Sequence, residues 1–352
     1  MLLTFINKLP CVQQLYFYGI LRKKGKEMKN IESLKNKTVM VTGATGLIGQ
    51  AVVKALLQYG ANVVAVIRSM DKANRLFGAD ARISYIVSDI NELEIKSMQL
   101  DYIIHAAANT SSKAFIEDPI GIIESTLNGA GRTLEIARLS DVKGYIYLSS
   151  MEVYGTPETD EKIDELNASN LNTMKARSAY PESKRMCENM CAAYHAQYGV
   201  PAKTIRLTQT FGPGVSYYDG RVFAEFARCA IEGRNIVLHT KGETKRCYLH
   251  TDDAVSAIFC VLLNGVDGEA YNAANEQTYC SIYQMAELVA EHCSSAEICV
   301  EIQEKENVAA MGYAPTLHMN LDTKKLRSLG WKPAKDLKMM FSEMIADMKA
   351  NN

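Results

Sequence analysis

The chain has 352 residues, of which 47% are hydrophobic and 22% charged, and its formal net charge is −1. This is the composition of an ordinary globular protein, long enough for one large domain or two interleaved ones. A near-neutral charge offers no basic surface for nucleic acid, so we expect no such partner. Nine cysteines are too sparse for a disulfide scaffold, so we expect reduced thiols, a cytoplasmic protein and no metal site.

The first 35 residues differ in character from the rest. They are apolar and then basic, and Lys8 and Pro10 interrupt the apolar stretch. No run approaches the ~20 residues of a membrane span, and the order of charge and apolar residues is the reverse of a signal peptide. We interpret residues 1–35 as an N-terminal extension that packs on the domain or on a partner subunit. A peripheral membrane contact is the alternative.

From Lys37 onward, short apolar runs alternate with helix-length segments. The runs are "KTVMVTG", "ANVVAVIR", "ISYIVSDI", "DYIIHAAA" and "KGYIYLSS". Strands of this kind are buried on both faces of a parallel sheet, so the alternation predicts an α/β fold with a doubly wound sheet. After Gly212 and Pro213 the pattern loosens, which indicates that a second, smaller region begins there.

A glycine-rich loop follows the first predicted strand. In "VTGATGLIG", Gly43, Gly46 and Gly49 are three residues apart and lie between a strand and a helix. Glycines at this place allow a tight turn, and the helix N-terminus offers free N–H groups to a pyrophosphate. The loop therefore predicts a dinucleotide site.

The tip of the second strand bears on which dinucleotide is bound. An acidic residue there would suit the ribose hydroxyls of NAD, but the sequence has Arg68 and Ser69, which suit the 2′-phosphate of NADP. Asp71 lies close enough to reach the ribose, so the cofactor is NADP or NAD. Asp89, at the end of the third strand, is a candidate for contact with adenine.

Tyr180 and Lys184, in "SAYPESKRMCENM", are the candidate reactive pair. Their spacing places both side chains on one face of a helix. A phenol is a poor base at neutral pH, but a nearby ammonium and an oxidised nicotinamide ring would lower its pKa. The pair can then take a proton from an alcohol as hydride leaves carbon.

The motifs "TGATGLIG", "HAAA", "SSMEVYG", "YPESK", "RLTQTFGPG", "KRCYLHTDDAV" and "LGWKP" together carry a family resemblance. Over roughly residues 36–345 the chain resembles the extended short-chain dehydrogenase/reductases, in the NAD-dependent epimerase/dehydratase family that acts on nucleotide sugars. The resemblance implies a Rossmann-type sheet with a smaller interleaved C-terminal substrate domain and a nucleotide sugar between them. It assigns residues 36–210, with part of 240–265, to the dinucleotide-binding Rossmann domain. Residues 211–352 belong mainly to the substrate-binding domain. The resemblance also implies a homodimer formed through helices near 113–138 and 180–198.

The resemblance also assigns roles to individual residues. It makes Ser150 the hydroxyl that contacts the reacting sugar oxygen, Tyr180 the acid/base and Lys184 its electrostatic partner, while Glu152 keeps the place of a proton-abstracting base. The implied substrate contacts are Ser150, Gln209, Arg221 and Arg246, the two arginines binding the diphosphate. The implied cofactor contacts are Gly43, Thr45, Gly46, Leu47, Ile48, Gly49, Arg68, Ser69, Asp89, Ile90, Ala106, Ala107, Ala108, Tyr180 and Lys184. His105 and His250 are interpreted as structural.

Side chains next to Ser150 separate the possible reactions. Similar dehydratases have an Asp-Glu pair where this chain has Met151 and Glu152, and a thioether cannot donate a proton. Similar glucuronate decarboxylases have an arginine shortly before a proline, where this chain has Tyr313 and Ala314. We therefore favour an epimerase that oxidises and re-reduces C4 of the sugar.

Three alternatives stay open. One is an NADPH-dependent reductase of a keto-sugar or polyol nucleotide, which Arg68 and Ser69 would suit. Another is a decarboxylase similar to those acting on UDP-glucuronate. The third, from a different class, is a non-catalytic cofactor-binding module, although such proteins often lose the tyrosine or lysine that this chain retains.

Overall fold

The computed structural model describes residues 30–110, 114–305 and 316–351. The prediction for the N-terminal extension falls largely on residues 1–29, outside this part of the chain. In the described part, the strands in chain order are β1 (Thr38–Thr42), β2 (Asn62–Ile67), β3 (Ile83–Val87), β4 (Tyr102–His105), β5 (Gly144–Ser150), β6 (Ala202–Leu207), β7 (Gln209–Phe211), β8 (Ile236–Leu238), β9 (Lys245–His250), β10 (Ala270–Ala273), β11 (Asn275–Ser281), β12 (Val300–Ile302) and β13 (His318–Met319).

Helices connect most of the strands. They are α1 (Leu47–Gln58), α2 (Met70–Phe77), α3 (Ala114–Glu117), α4 (Pro119–Leu139), α5 (Ala179–Tyr198), α6 (Val222–Glu232), α7 (Thr251–Asn264), α8 (Ile282–His292), α9 (Lys324–Ser328) and α10 (Leu337–Ala350). In the described ranges, no helix is both long and apolar enough to cross a membrane.

Seven parallel strands form the central sheet, in the order β10-β6-β5-β4-β1-β2-β3. One face is covered by α1 and α7, where Val52 and Ile258 are fully buried. The other is covered by α4 and α5, where Leu134 and Cys187 are fully buried. Burial on both faces explains why the strands read as continuous apolar runs. The predicted doubly wound parallel sheet is confirmed.

The strand order reverses between β1 and β4, the first strands of the two halves of the sheet. Ligands of doubly wound sheets bind at such a point, beyond the carboxyl ends of the strands. Gly43 follows β1 there, Ala106 follows β4, and Ser150 ends β5 on the same edge. The topology thus brings the glycine loop and the hydroxyl-bearing strand tip to one edge.

A second, smaller core lies beside this sheet. It is built around β9, which pairs with β7, β11 and β13, and around helices α6, α8 and α10. Phe211 stacks on Phe223 with ring centres 4.6 Å apart. Phe341 also packs on the Phe211 ring, with ring centres 5.0 Å apart. The chain returns from this region to the central sheet through α7 and β10. The predicted boundary at residue 211 stays a prediction.

His250 and the described cysteines have the structural roles expected of them. His250 is the N-cap of α7, and its Nδ1 accepts a hydrogen bond from the backbone N–H of Asp252 at 3.1 Å. Each of the eight cysteines in the described part of the chain is a free thiol, and Cys187 and Cys191 are buried.

Candidate functional site

The glycine loop between β1 and α1 is packed so closely that side chains are excluded. Gly43 has φ of +62°, and a Cβ there would lie 2.8 Å from the Cα of Ala107. A Cβ on Gly49 would lie 2.1 Å from the carbonyl oxygen of Gly43. Gly46 is the N-cap of α1 and provides no side-chain cap, so the first N–H groups of the helix suit an anion. These residues fit the pyrophosphate of a dinucleotide; Thr45, Leu47 and Ile48 belong to the same loop and first turn.

Arg68 and Ser69 follow directly after β2, at the edge where a dinucleotide ribose would lie. Arg68 is exposed, while the Ser69 hydroxyl caps α2 by accepting a hydrogen bond from the N–H of Lys72 at 3.3 Å. Asp89, beyond β3, accepts a hydrogen bond from the N–H of Asn91 at 2.9 Å, and Ile90 follows it. The Ser69 hydroxyl still has its own proton to donate, so the preference for a 2′-phosphate continues to depend on Arg68 and Ser69 and stays a prediction.

His105 is linked through the Thr42 hydroxyl to the segment Ala106–Ala108, which follows it along the chain. Its Nδ1 lies 2.8 Å from the hydroxyl of Thr42, which also accepts a hydrogen bond from the N–H of Ala107 at 3.2 Å. Burial, followed by the charge of Lys184, lowers the pKa of His105 to about 3. A neutral, buried histidine that joins the ends of β1 and β4 is a structural residue, as the sequence indicated.

The structure brings Ser150, Tyr180 and Lys184 together. The Ser150 hydroxyl, at the end of β5, accepts a hydrogen bond from the N–H of Glu152 at 3.2 Å and retains its own proton to donate. Lys184 Nζ donates to the carbonyl oxygen of Leu148 at 2.8 Å and lies 5.7 Å from the Tyr180 ring centre. The first turns of α5 are thereby fixed against the tip of β5.

Burial and neighbouring charges shift the pKa values of Tyr180 and Lys184. Burial raises the pKa of Tyr180, and the negative charge of Glu152 raises it further, against a hydrogen bond with Ser150 and the positive charge of Arg177. Burial lowers the pKa of Lys184 to about 8, against the charges of neighbouring thiol and carboxyl groups. Without a ligand, Tyr180 is a protonated phenol. A positive ring beside it would favour the phenolate.

Phe115 and Arg177 complete this part of the site, and sequence reasoning missed both. The Phe115 ring stacks on Tyr180 with centres 4.3 Å apart and planes 21° apart. The guanidinium carbon of Arg177 lies 4.6 Å from the centre of the Phe115 ring. Arg177 precedes Tyr180 by three residues, a spacing that the sequence does show. Phe115 had no such signal, because it lies on α3, far from Tyr180 along the chain.

Glu152 and Met151 have different environments although they are adjacent. Glu152 Oε2 forms an ion pair with Nη2 of Arg177 at 2.9 Å. The Met151 side chain is buried, and its sulfur lies 3.3 Å from the hydroxyl of Thr208, which donates to the carbonyl oxygen of Cys247 at 2.6 Å. The position beside Ser150 therefore holds no proton donor.

The predicted diphosphate-binding arginines are in different states. Arg246 on β9 donates to the Gln209 side chain at 2.8 Å, and its Nε is buried without a hydrogen-bond partner in the described part of the chain. Arg221, in contrast, makes two hydrogen bonds to Asp219, at 2.6 and 2.9 Å. A half-buried guanidinium with an unused donor suits an anion. Arg246 is thus the better candidate for binding the diphosphate.

A buried ion pair behind the site joins α5 to the central sheet. Arg206 on β6 forms an ion pair with Glu188 at 2.7 Å, and both side chains are almost fully buried. The hydroxyl of Ser149 donates to Glu188 at 2.6 Å, and Arg206 donates to the Tyr154 hydroxyl at 2.7 Å. Sequence reasoning missed this network because its members are far apart along the chain.

Two predictions fall outside the described residues. Tyr313 and Ala314, in the place of the decarboxylase arginine, lie in the segment 306–315. Residue 113, where the predicted interface segment near 113–138 begins, is likewise outside, in the segment 111–113.

Comparison with known proteins agrees with this geometry. UDP-glucuronic acid decarboxylase 1 of Xenopus tropicalis is 27% identical over 269 residues, which are 74% of this chain but only 62% of that protein. UDP-N-acetyl-alpha-D-glucosaminuronate decarboxylase of Bacillus cytotoxicus is 28% identical over 83% of this chain and 91% of its own. Among solved structures, UDP-N-acetylglucosamine 4-epimerase from Methanobrevibacter ruminantium M1 has the same fold, with a TM-score of 0.77 over 90% of this chain and 100% of that one, at 20% identity.

A family model settles the classification of the chain. It describes the NAD dependent epimerase/dehydratase family and matches residues 39–274, which include the glycine loop, Ser150, Tyr180, Lys184 and Arg246. Members of this family are enzymes that use a nicotinamide cofactor. This chain belongs to the NAD-dependent epimerase/dehydratase family.

Proposed function

We propose that this enzyme is an epimerase that oxidises one carbon of a nucleotide-linked sugar, most simply C4, and then reduces it again in the same site. The observation that carries the proposal is the group of Ser150, Tyr180 and Lys184 with a buried Met151 next to it. The group suffices for hydride transfer at a carbinol, and Met151 leaves no acid to expel a neighbouring hydroxyl. The fate of the oxidised sugar is then re-reduction.

The side chains transfer one proton from the sugar hydroxyl to Tyr180 during oxidation and return it during reduction. Ser150 donates a hydrogen bond to the sugar oxygen while the Tyr180 phenolate takes the proton of the same hydroxyl. Lys184 stabilises the phenolate by its charge. A nicotinamide held beside Tyr180 would supply the hydride acceptor for the oxidation and the hydride donor for the reduction. Rotation of the keto sugar presents its other face, and Tyr180 returns the proton to the new alkoxide, so nothing is consumed.

The residues at the cofactor end would hold NAD or NADP. The loop from Gly43 to Gly49 would hold the pyrophosphate, Arg68 and Asp89 lie where the adenosine would be, and the segment Ala106–Ala108 lines the path to Tyr180. An epimerase must retain its cofactor through the whole cycle.

The test is to identify the retained cofactor and the product. Purified protein is denatured, and the released nucleotide is separated by chromatography. The enzyme is then incubated with UDP-, dTDP-, CDP- and GDP-hexoses and with UDP-glucuronate, and the products are identified by mass and NMR. We expect retained NAD and an isomer of equal mass. Net consumption of added NADPH would contradict the epimerase and support the reductase.

Decarboxylation is a second candidate, favoured by the Glu152–Arg177 pair and by the curated relatives named above. Oxidation at C4 of a uronic acid makes a β-keto acid. The C5–C6 bond then breaks, carbon dioxide leaves, and the electron pair forms an enolate that is protonated at C5 before C4 is reduced. A pentose product and released carbon dioxide would establish this outcome in the same assay.

We also propose that two copies pair through α4 and α5. Large apolar side chains are exposed on or next to these helices, including Ile120 and Met186. Light scattering after size-exclusion chromatography tests this, and a monomer at micromolar concentration would contradict it.

A further inference from the structure

We infer that Arg177 recognises a carboxylate on the sugar, so that the substrate is a nucleotide-linked uronic acid. The inference rests on the hydride chemistry proposed above but not on whether epimerisation or decarboxylation follows. It comes from the position of the Arg177 guanidinium, which transfers neither a proton nor a hydride in that chemistry.

Arg177 is held close to the reacting centre by a stack of aromatic rings. Its guanidinium carbon is 4.6 Å from the Phe115 ring centre, and Phe115 is 4.3 Å from the Tyr180 ring centre. Together, the two distances set an upper limit on the separation between the Arg177 guanidinium carbon and the Tyr180 ring centre. This upper limit is comparable with the length of a hexose. Phe115 is 2% exposed, so the ring that supports the guanidinium is fixed.

Much of the hydrogen-bonding capacity of Arg177 is unused. Within the described part of the chain, the Arg177 side chain donates one hydrogen bond, from Nη2 to Glu152. The side chain is 41% exposed. A guanidinium has further N–H groups in a planar fork that matches a carboxylate. Glu152 is itself a carboxylate, so the site already accommodates one such partner. A second carboxylate, from the sugar, can bind beside it.

The charges at the site are arranged for a ligand that is anionic at both ends. In the described part of the chain, the buried Nε of Arg246 has no hydrogen-bond partner and is available to the diphosphate. Arg177 lies over Phe115, whose ring stacks on Tyr180. A hexose with a neutral hydroxymethyl group would leave Arg177 paired only with Glu152. A uronic acid would add a charge-assisted hydrogen bond, which corresponds to a preference of about 10- to 100-fold.

The experiment compares UDP-glucuronate with UDP-glucose on the full chain. Binding is measured by calorimetry, and kcat and KM are measured by the product assay above. The variants are Arg177→Gln, Arg177→Lys and the control Arg185→Gln. Arg185 is an exposed arginine on the same helix, paired with Glu182 at 3.7 Å.

We expect Arg177→Gln to weaken UDP-glucuronate binding at least tenfold and to leave UDP-glucose unchanged. Arg177→Lys should recover part of the loss, and Arg185→Gln should change neither sugar. Equal losses for the two sugars, with a shifted pH profile, would overturn the inference by showing that Arg177 acts on Tyr180. Equal wild-type affinities for the two sugars would overturn it as well.

Failure of the proposed function gives a different result. If neither sugar is converted, but Arg177→Gln still weakens UDP-glucuronate binding selectively, the recognition role stands and the hydride chemistry does not. If conversion occurs without any selectivity, the hydride chemistry stands and the recognition role does not.

Discussion

At the cofactor end of the site, the close contacts are between backbone atoms. Gly43 lets the loop after β1 pack directly against the backbone of Ala107. At the substrate end, the groups are side chains from separate elements, among them Phe115, Glu152, Arg177 and Arg246. The first arrangement tolerates almost no added atom. The second is held by ion pairs and ring contacts, so single residues there can change without moving the sheet. The comparison indicates that changes at one end should stop the enzyme, whereas changes at the other should alter which sugar it accepts.

The largest effect is expected where the two ends meet. Tyr180→Phe removes the phenol oxygen that carries the proton and keeps the ring that stacks on Phe115. We expect the rate of sugar conversion to fall by about 100- to 10,000-fold, with cofactor binding nearly unchanged. Initial rates and a titration of cofactor fluorescence measure the two quantities. Tyr198→Phe, at the exposed end of α5, is the control, and full activity of Tyr180→Phe would refute the assigned role.

A large effect is also expected from Gly49→Ala at the cofactor end. The added Cβ would lie 2.1 Å from the carbonyl oxygen of Gly43, so the loop must move. We expect at least about a tenfold loss of cofactor affinity and about 1 to 3 kcal/mol of destabilisation. Calorimetry and urea unfolding check both numbers. Gly220→Ala is the control, since a Cβ there meets nothing within 4 Å; similar behaviour of the two variants would contradict the backbone-packing account.

A smaller effect is expected from the arginines at the substrate end. Arg246→Gln removes the buried Nε, which has no hydrogen-bond partner within residues 30–110, 114–305 and 316–351, and we expect UDP binding to weaken by about tenfold. Arg221→Gln should cost less, because Arg221 is already bound to Asp219 through two hydrogen bonds. Calorimetry with UDP ranks the two variants. The reverse ranking would show that the two arginines exchange roles when ligand binds.

The smallest effect concerns Asp253, a carboxylate that joins α7 to the chain segment before α10. Asp253 on α7 accepts hydrogen bonds from the N–H groups of Ala334 and Lys335, at 2.9 and 3.0 Å, and burial raises its pKa to about 6. Its pKa in the unfolded chain is about 3.9, so the folded state binds the proton more tightly. The stabilising effect of that proton is complete below pH 4 and is lost as the pH rises to about 6.

Comparison of the wild type with Asp253→Asn isolates this contribution, because asparagine does not titrate. We expect the stability of the wild type relative to the variant to fall by on the order of 1 kcal/mol between pH 4.5 and 6.5, and to stay level above that. Urea unfolding at several pH values measures it. A relative stability that rises over the same interval would contradict the raised pKa.

The sequence was sufficient for the parts of the molecule that depend on local spacing. The alternation of apolar runs predicted the parallel sheet, the glycines predicted the closely packed loop, and the spacing of Tyr180 and Lys184 placed both on one helix face. Ser150 was placed correctly because a strand tip is visible as the end of an apolar run. In each case the relevant residues are neighbours along the chain or repeat with a fixed period.

The missed residues depend on contacts between distant segments. Phe115 on α3 meets Tyr180 on α5 only after these helices have packed together, and Glu188 meets Arg206 and Ser149 only after α5 has packed on the sheet. The opposite states of Arg221 and Arg246 were also beyond the sequence, because they depend on which acceptor lies nearby. Arg177 was the exception: its spacing from Tyr180 was visible, but its partner Glu152 was needed to show its orientation.

The bonds from Lys184 to Leu148 and from Ser149 to Glu188 have a consequence for evolution in this fold. They join the tip of β5 to α5 in one block that carries Ser150, Tyr180 and Lys184. Phe115 and Arg177 contact this block through Tyr180 and Glu152, but neither takes part in those two bonds. Natural variation at these two positions could therefore give the chain a new sugar while the block keeps its geometry, so descendants could diverge in substrate without first passing through an inactive form.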